Sequence, residues 1–388
     1  MIIDRQRIAV ILCGLGSYLD LWATQSLLPL LTDQLHASPV AVSLTVSMPP
    51  LAIALTAPWT GVIADVLGRK RVITAAMFTL VVPTVMVGYS SSLGEIVFWR
   101  FAQGLFVPPI FAGTVAYIAD EFPLGEATAA TGLYTAAGIF GGFLSRFLTA
   151  LLAQYFGLRG AFLGLALVTL SLAVGVALLL PRDRGFMRAS SILSSAAQML
   201  RHFRDPRLVA TYSVGFCVLF SFVAIFTFVA FRLASPPFLL SVSALGLIFV
   251  TYLAGVATTS LVGYGIRWFG RQRLVLLALA MWACGLVLAL LPSLAAIIAG
   301  LAIAAAFGFM CQACSTSFVA LTARQARTSA VGLYVTFYYL GGSAGGVVAG
   351  LAWTLAGWPG CVGVTLVVLL IVTLLVSRYW TDEARPQE

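Results

Sequence analysis

Three ionisable side chains stand inside long apolar runs: Asp20 in GSYLDLW, Arg100 in VFWRFAQG and Arg146 in GGFLSRFL. In such surroundings a carboxylate can take up and release a proton, and a guanidinium can hold a carboxylate or phosphate. The other reactive residues are sparse. CQAC (311–314) has redox or metal spacing, yet no further Cys or His lies near it, and all six cysteines fall in apolar runs, where they read as small packing residues. The two histidines, His36 and His202, sit in polar segments. No catalytic cluster, metal constellation or Gly-x-x-x-x-Gly-Lys-Ser/Thr loop can be assembled, so the reading is neither an enzyme nor an ATP-driven machine.

The elements that carry these residues are membrane helices. The chain has 388 residues, 61% hydrophobic and 9% charged, against roughly 25% charged in soluble domains. Its mean hydropathy is +1.03. Apolar runs bounded by charges, Gly or Pro predict spans at 8–31, 39–63, 72–90, 95–119, 127–153 and 160–180. A second set follows at 208–231, 241–264, 274–291, 295–321, 328–356 and 360–380. The first run is too long for a signal peptide and has no small-residue cleavage site, so it is expected to span. The two halves repeat each other: GVIADVLGRKR (61–71) aligns with GYGIRWFGRQR (263–273), and GLYTAAGIFGGFLSR (132–146) with GLYVTFYYLGGSAGG (332–346). The expected fold is all-α and polytopic, with twelve transmembrane helices in two pseudo-symmetric six-helix bundles, 1–180 and 208–388. Between them lies a polar linker, 181–207, whose segment 191–203 is amphipathic at helical spacing and is expected along the membrane surface.

A net charge of +9 invites a nucleic-acid partner, but the basic residues fall in the gaps between spans. Arg5, Arg7, Arg69, Lys70, Arg71, the linker arginines, Arg267, Arg271, Arg273, Arg324, Arg327, Arg378 and Arg385 fall on one side. Arg159 and Arg232 fall on the other. That asymmetry predicts both termini in the cytoplasm. The absence of asparagine and the single lysine suit a bacterial protein from a GC-rich genome, hence a bacterial cytoplasmic membrane.

At about 1.5 Å per residue, Asp20 lies about 18 Å from the cytoplasmic end of its span. Arg100 and Arg146 lie about 8 Å and about 11 Å below the outer ends of theirs. In a hydrocarbon core of roughly 30 Å all three fall between the midplane and the outer third, where a charge costs about 2.5–3.5 kcal/mol even on lenient scales. They are therefore expected to face one interior cavity. Two plainer readings stand beside this: Arg146 could snorkel outward, and Asp20 could be a fixed counter-ion locking the first span to the fourth or fifth. Weaker lining candidates are Tyr334 and Tyr338, four apart on one helical face, with Gln103, Gln312 and Thr24. The phenylalanines of the seventh span (Phe216, Phe220, Phe222, Phe226, Phe228, Phe231) occupy several faces and are expected mostly against lipid.

GVIADVLGRKRV (61–72) resembles the loop signature of the major facilitator superfamily, Gly-x-x-x-Asp-x-x-Gly-Arg-Lys/Arg. FWRFAQG (98–104) resembles that family's Arg-x-x-x-Gly motif, and AYIADEFP (116–123) the acidic end of its fourth helix. The likeness covers the whole chain and is nearest to the twelve-helix, proton-driven efflux branch. It implies a secondary transporter working by alternating access, a small-molecule substrate, a proton gradient in place of any cofactor, and a monomer. It also implies a cytoplasmic gate built on Gly61, Asp65, Gly68, Arg69, Arg71 and Asp120. Asp65 would meet the start of the eleventh helix near Thr328 and Ser329, and Arg69 and Arg71 would pair with Asp120 or Glu121; Arg71 could equally be a topology determinant. The branch's fifth-helix signature ends Gly-Pro-x-x-Gly-Gly; here GGFLSR puts Gly142 for Pro and Ser145–Arg146 for the last two glycines, while the second half keeps Gly345–Gly346. With Asp20 ionised, Asp20, Arg100 and Arg146 leave the cavity positive, which favours an anionic or polar metabolite over a cationic drug. Proton-coupled export is the first expectation; import of an anionic metabolite by proton symport is the alternative.

Overall fold

The computed structural model describes residues 4–183, 202–323 and 327–380, without the side chains of 61–66, 124, 320 and 327–329. The linker helix expected over 191–203 therefore lies, but for its last two residues, outside the described residues. Among the described residues the elements are α1 (Arg5–Leu19), α2 (Leu28–Leu35), α3 (Pro39–Leu67), α4 (Arg69–Tyr89), α5 (Leu93–Glu121) and α6 (Leu124–Leu179). After the linker come α7 (Pro206–Ala234), α8 (Val242–Leu247), a 3₁₀ turn (Ile248–Tyr252), α9 (Leu253–Phe269), α10 (Arg271–Leu288), α11 (Leu294–Thr322) and α12 (Arg327–Tyr379).

α6 and α12 are each two spans. Gly157 (φ 67°) and Gly357 (φ 60°) interrupt them with a backbone conformation that L side chains rarely adopt. The chain reverses there: a Cβ at Gly164 would lie 2.7 Å from Leu152, and the Cys361 thiol donates to the Ala349 carbonyl at 3.3 Å. Residues twelve apart on one straight helix would be about 18 Å apart. With α1–α2 as one interrupted crossing, the described residues make the twelve expected spans.

Two compact units divide the chain, one drawn from 1–191 with 230–249, the other from 192–229 with 250–388. In the first, α1 packs on α6, α3 on α5, and α4 on both α5 and α6; in the second, α10 packs on α11, α9 on α11, and α10 on α12. The internal repeat is a repeat of contacts. A Cβ at Gly14 would meet the Tyr134 carbonyl at 2.5 Å, and one at Gly215 would meet the Tyr334 ring at 2.5 Å. Gly141 lies over the Leu15 backbone and Gly341 over that of Phe216. In both halves the GLY…GG stretch is thus the seam between the first and fifth spans, close enough that only glycine fits.

Most phenylalanines of α7 are not lipid-facing. Phe220, Phe222, Phe226 and Phe228 are buried, because the rings stack on one another and on aromatic neighbours. Phe222 lies 5.9 Å from Phe226, 5.2 Å from Trp282 and 4.9 Å from Phe309.

Gly104 is where α5 crosses α3, and a Cβ there would collide with the Pro49 carbonyl and lie 2.7 Å from Ala52. Gly104→Ala is expected to destabilise the protein by about 1–3 kcal/mol, read as a lower melting temperature in detergent. Gly94→Ala, with open space around it, is expected to leave the melting temperature unchanged.

Candidate functional site

The site begins with an interruption. The sequence predicts one continuous first span, but α1 stops at Leu19. The chain then passes through tight turns: Ala23 N donates to Asp20 O (3.4 Å), Gln25 N to Trp22 O (3.0 Å) and Leu27 N to Thr24 O (3.0 Å). Pro29, in the first turn of α2, restarts the helix. Opening a helix at this depth exposes main-chain carbonyls that no solvent will satisfy.

Arg100 satisfies them. Fully buried on α5, it donates from Nη1 to the Asp20 carbonyl (2.6 Å) and from Nη2 to the Leu21 carbonyl. A cation is thereby set on the negative end of α1. Its Nε donates to the Thr45 carbonyl at 2.9 Å. That acceptor is available because Pro49, four residues on, has no N–H to give it. Thr24 Oγ1 shares it at 3.3 Å. Nη1 also reaches Gln103 Oε1 at 2.6 Å, and Gln103 Nε2 donates to Thr84 Oγ1 at 2.8 Å.

The Asp20 carboxylate, also fully buried, is held by hydroxyls. Thr84 Oγ1 of α4 donates to Oδ1 at 2.8 Å and Thr169 Oγ1 of α6 to Oδ2 at 2.9 Å. The expected Asp20–arginine pairing is therefore indirect: Arg100 takes the main-chain oxygen of Asp20 and is joined to its carboxylate through Gln103 and Thr84.

Arg146 sits on the far side of the same segment and does not snorkel, being 2% exposed. Nε donates to Gln25 Oε1 at 2.7 Å and Nη1 to the Gly142 carbonyl at 2.5 Å. The guanidinium carbon stands 5.1 Å from the Trp22 ring centre and 4.6 Å from that of Phe249, within cation–π range. Ser26 Oγ donates to the Arg146 carbonyl (2.8 Å) and Thr149 Oγ1 to the Ala23 carbonyl (2.8 Å). The three charges thus gather around residues 20–26 within one unit. Sequence reading picked out Gln103 and Thr24 but missed Thr45, Thr84, Thr169, Gln25, Trp22 and Phe249. Of these Thr45 and Gln25 carried a signal, a proline four residues downstream.

Tyr334 and Tyr338 stack at 6.1 Å in the other unit, where Tyr334 joins an apolar cluster with Leu208, Tyr212 and Val319. Gln312 is half-buried on α11. Of the gating residues, Arg69 pairs with Asp120 and donates to the Ala116 carbonyl, while Arg71 is exposed. Gly68 takes φ 86° ahead of α4, and the Asp183 carboxylate accepts from Lys70 N at 3.2 Å. Gly61 and Asp65 fall in the last turns of α3; the side chain of Asp65 and those of Thr328 and Ser329 lie outside the described set.

Arg100→Leu would strip a donor from three main-chain carbonyls and from Gln103. At about 1–3 kcal/mol per unsatisfied buried group, the expected loss exceeds about 3 kcal/mol. Thr169→Val should cost about 1–3 kcal/mol. Thermal melts in detergent check both, and an unaltered melt for Arg100→Leu would contradict the arrangement.

Comparison with known proteins agrees with this architecture. The family model described as Major Facilitator Superfamily matches residues 10–235 and 221–388. An uncharacterized transporter of Buchnera aphidicola subsp. Schizaphis graminum is 28% identical over 369 residues, covering 95% of this chain and 89% of that protein. The inner membrane transport protein YnfM of Escherichia coli K12 is 28% identical over 374 residues, covering 96% and 89%. Among solved structures, the nucleoside transporter NupG (D323A mutant) shares the fold at TM-score 0.78 and 14% identity, over 97% of this chain and 99% of that one. The chain belongs to the major facilitator superfamily and is a multi-pass membrane transporter.

Proposed function

We propose that this transporter works by alternating access and exports a small anionic or polar organic metabolite against protons, with Asp20 as the proton site and Arg146 as the substrate anchor. The observation that carries the reading is the hub at residues 20–26, where a buried carboxylate and a buried guanidinium are held by the same interrupted helix. Protonating Asp20 would remove the charge that Thr84 and Thr169 donate to and turn one carboxylate oxygen into a donor, weakening the bonds that draw α4 and α6 onto the segment. Release there would pass along the main chain to Gln25 and so to Arg146. A substrate carboxylate or phosphate that displaced the Gln25 amide oxygen would replace a neutral partner by a charged one, a stronger bond for a guanidinium. Arg100, committed to three main-chain carbonyls and to Gln103, acts as a positioning residue. The pairing of Arg69 with Asp120 supports a gate at that end. The protein is read as a monomer of a bacterial inner membrane, both termini cytoplasmic, needing no cofactor beyond the proton gradient.

The direction has one competitor. The exporter signature of the fifth helix is replaced by GGFLSR at the position of Arg146, which favours proton symport of an anionic metabolite inward.

Reconstituted vesicles with an imposed pH gradient separate these readings when organic anions, sugars, amino acids and lipophilic cations are supplied on either side. Proton-coupled movement of an anion or polar metabolite is expected. Asp20→Asn should abolish coupling while leaving binding detectable, and Arg146→Ala should weaken anion binding at least about thirtyfold. Intact coupling in Asp20→Asn would overturn the proton assignment; a cation response that survives Arg146→Ala would overturn the substrate class.

A further inference from the structure

A cavity of about 720 Å³ lies at the membrane boundary where α4 begins and α6 ends, away from residues 20–26. Lys70, Arg71 and Arg182 line its outer end, together with Asp183. Three cations face one carboxylate, and that carboxylate is already engaged with the Lys70 amide at the N-terminus of α4. Among the described residues the side chains of Lys70, Arg71 and Arg182 have no ion-pair or hydrogen-bond partner, in contrast to Arg69, which is committed to Asp120. Thr74, one turn further in, lines the same cavity. Its hydroxyl oxygen is buried and makes no hydrogen bond among the described residues.

The rest of the lining is largely apolar: Leu67, beside the cations, and Phe78, deeper along α4, are 57% and 38% exposed. Phe78 stands two turns beyond Lys70, about 12 Å deeper along α4. A soluble anion would use the cations and leave these apolar residues idle. A lipid uses both, because its phosphate sits at the boundary and its chains run inward from it. Basic pockets between spans at this level are suited to anionic headgroups, and the volume is in the range of small-molecule sites.

We propose that this cavity binds an anionic phospholipid, its phosphate held by Lys70, Arg71 and Arg182 and an acyl chain lying against Leu67 and Phe78. Occupation would bridge α4 to the residues just after α6. It would also place a lipid beside Arg69, so the bilayer's content of anionic lipid would bear on the Arg69–Asp120 contact.

The test uses the full chain in detergent, with native mass spectrometry counting bound dioleoyl-phosphatidylglycerol or dioleoyl-phosphatidylcholine. Wild type is expected to retain the phosphatidylglycerol selectively, and soluble glycerol phosphate is not expected to displace it. Arg182→Gln should weaken retention about fivefold, and the triple variant Lys70→Gln, Arg71→Gln, Arg182→Gln about a hundredfold. Melting temperature serves as the folding control, and Arg182→Gln alone carries the test if the triple variant does not fold. Equal retention of the two lipids, or wild-type retention by Arg182→Gln, would overturn the proposal. Ready displacement by glycerol phosphate would replace it with a soluble-anion site.

Discussion

The bond set between Arg100 and the opened end of α1 is the constraint on which the rest of the first unit depends. A bilayer offers no donors to a broken helix, so a span can be interrupted only where the protein brings its own. Here one guanidinium supplies two bonds to the break, a third to the carbonyl that Pro49 leaves vacant on α3, and a fourth to Gln103. Four bonds from one planar group fix α1, α3 and α5 against each other. With that frame in place the side chains of residues 20–25 can be spent on other partners. Asp20 faces the hydroxyls of α4 and α6, and Gln25 faces Arg146.

The two halves share a seam but not a site. The glycine contacts set Gly14 against Gly215 and Gly141 against Gly341, and by the same spacing Asp20 corresponds to Ser221, Gln25 to Phe226 and Arg146 to Gly346. Ser221 merely donates to the Cys217 carbonyl within its own helix (2.8 Å), and α7 runs unbroken through this level. In place of charges the second half packs aromatic rings around Phe222. The arginine that stands in GGFLSRFL where the repeat has glycine is thus matched by an interrupted first helix that can hold it. Exchanging glycine for arginine without that interruption would leave a buried charge against a continuous helix, whose carbonyls are already used.

Much of this is legible in the sequence. The spans are, because long apolar runs admit few other structures. Asp20, Arg100 and Arg146 are, because a charge within such a run has no cheap alternative. The hydroxyl partners are not. A threonine in a membrane helix can satisfy itself on its own i−4 carbonyl, and Thr84 and Thr169 have Leu80 O and Leu165 O within reach as well as Asp20. Nothing in their neighbourhood separates a donor to Asp20 from an ordinary span threonine. The break at residues 20–27 is hidden for a related reason. Half of its residues, DLWATQSL, are polar, but they sit between apolar stretches that read together as one span, and the break is stabilised by Arg100 and Thr149, which lie far away in sequence. Pro29 and Pro49 carry partial signals, since each leaves the carbonyl four residues upstream without its helical donor. The apolar wall of the cavity beside α4 is invisible until α6 is folded back at Gly157.

The central claim is that the charge on Asp20 sets the conformation of residues 20–27. Hydrogen exchange at those amides, followed across pH and corrected for the intrinsic pH dependence of exchange, tests it most directly. Protection should fall as Asp20 takes up its proton, and Asp20→Asn, which carries no charge at that site, should exchange at every pH as wild type does at low pH. Protection that stays constant with pH in wild type and is unchanged in Asp20→Asn would contradict it.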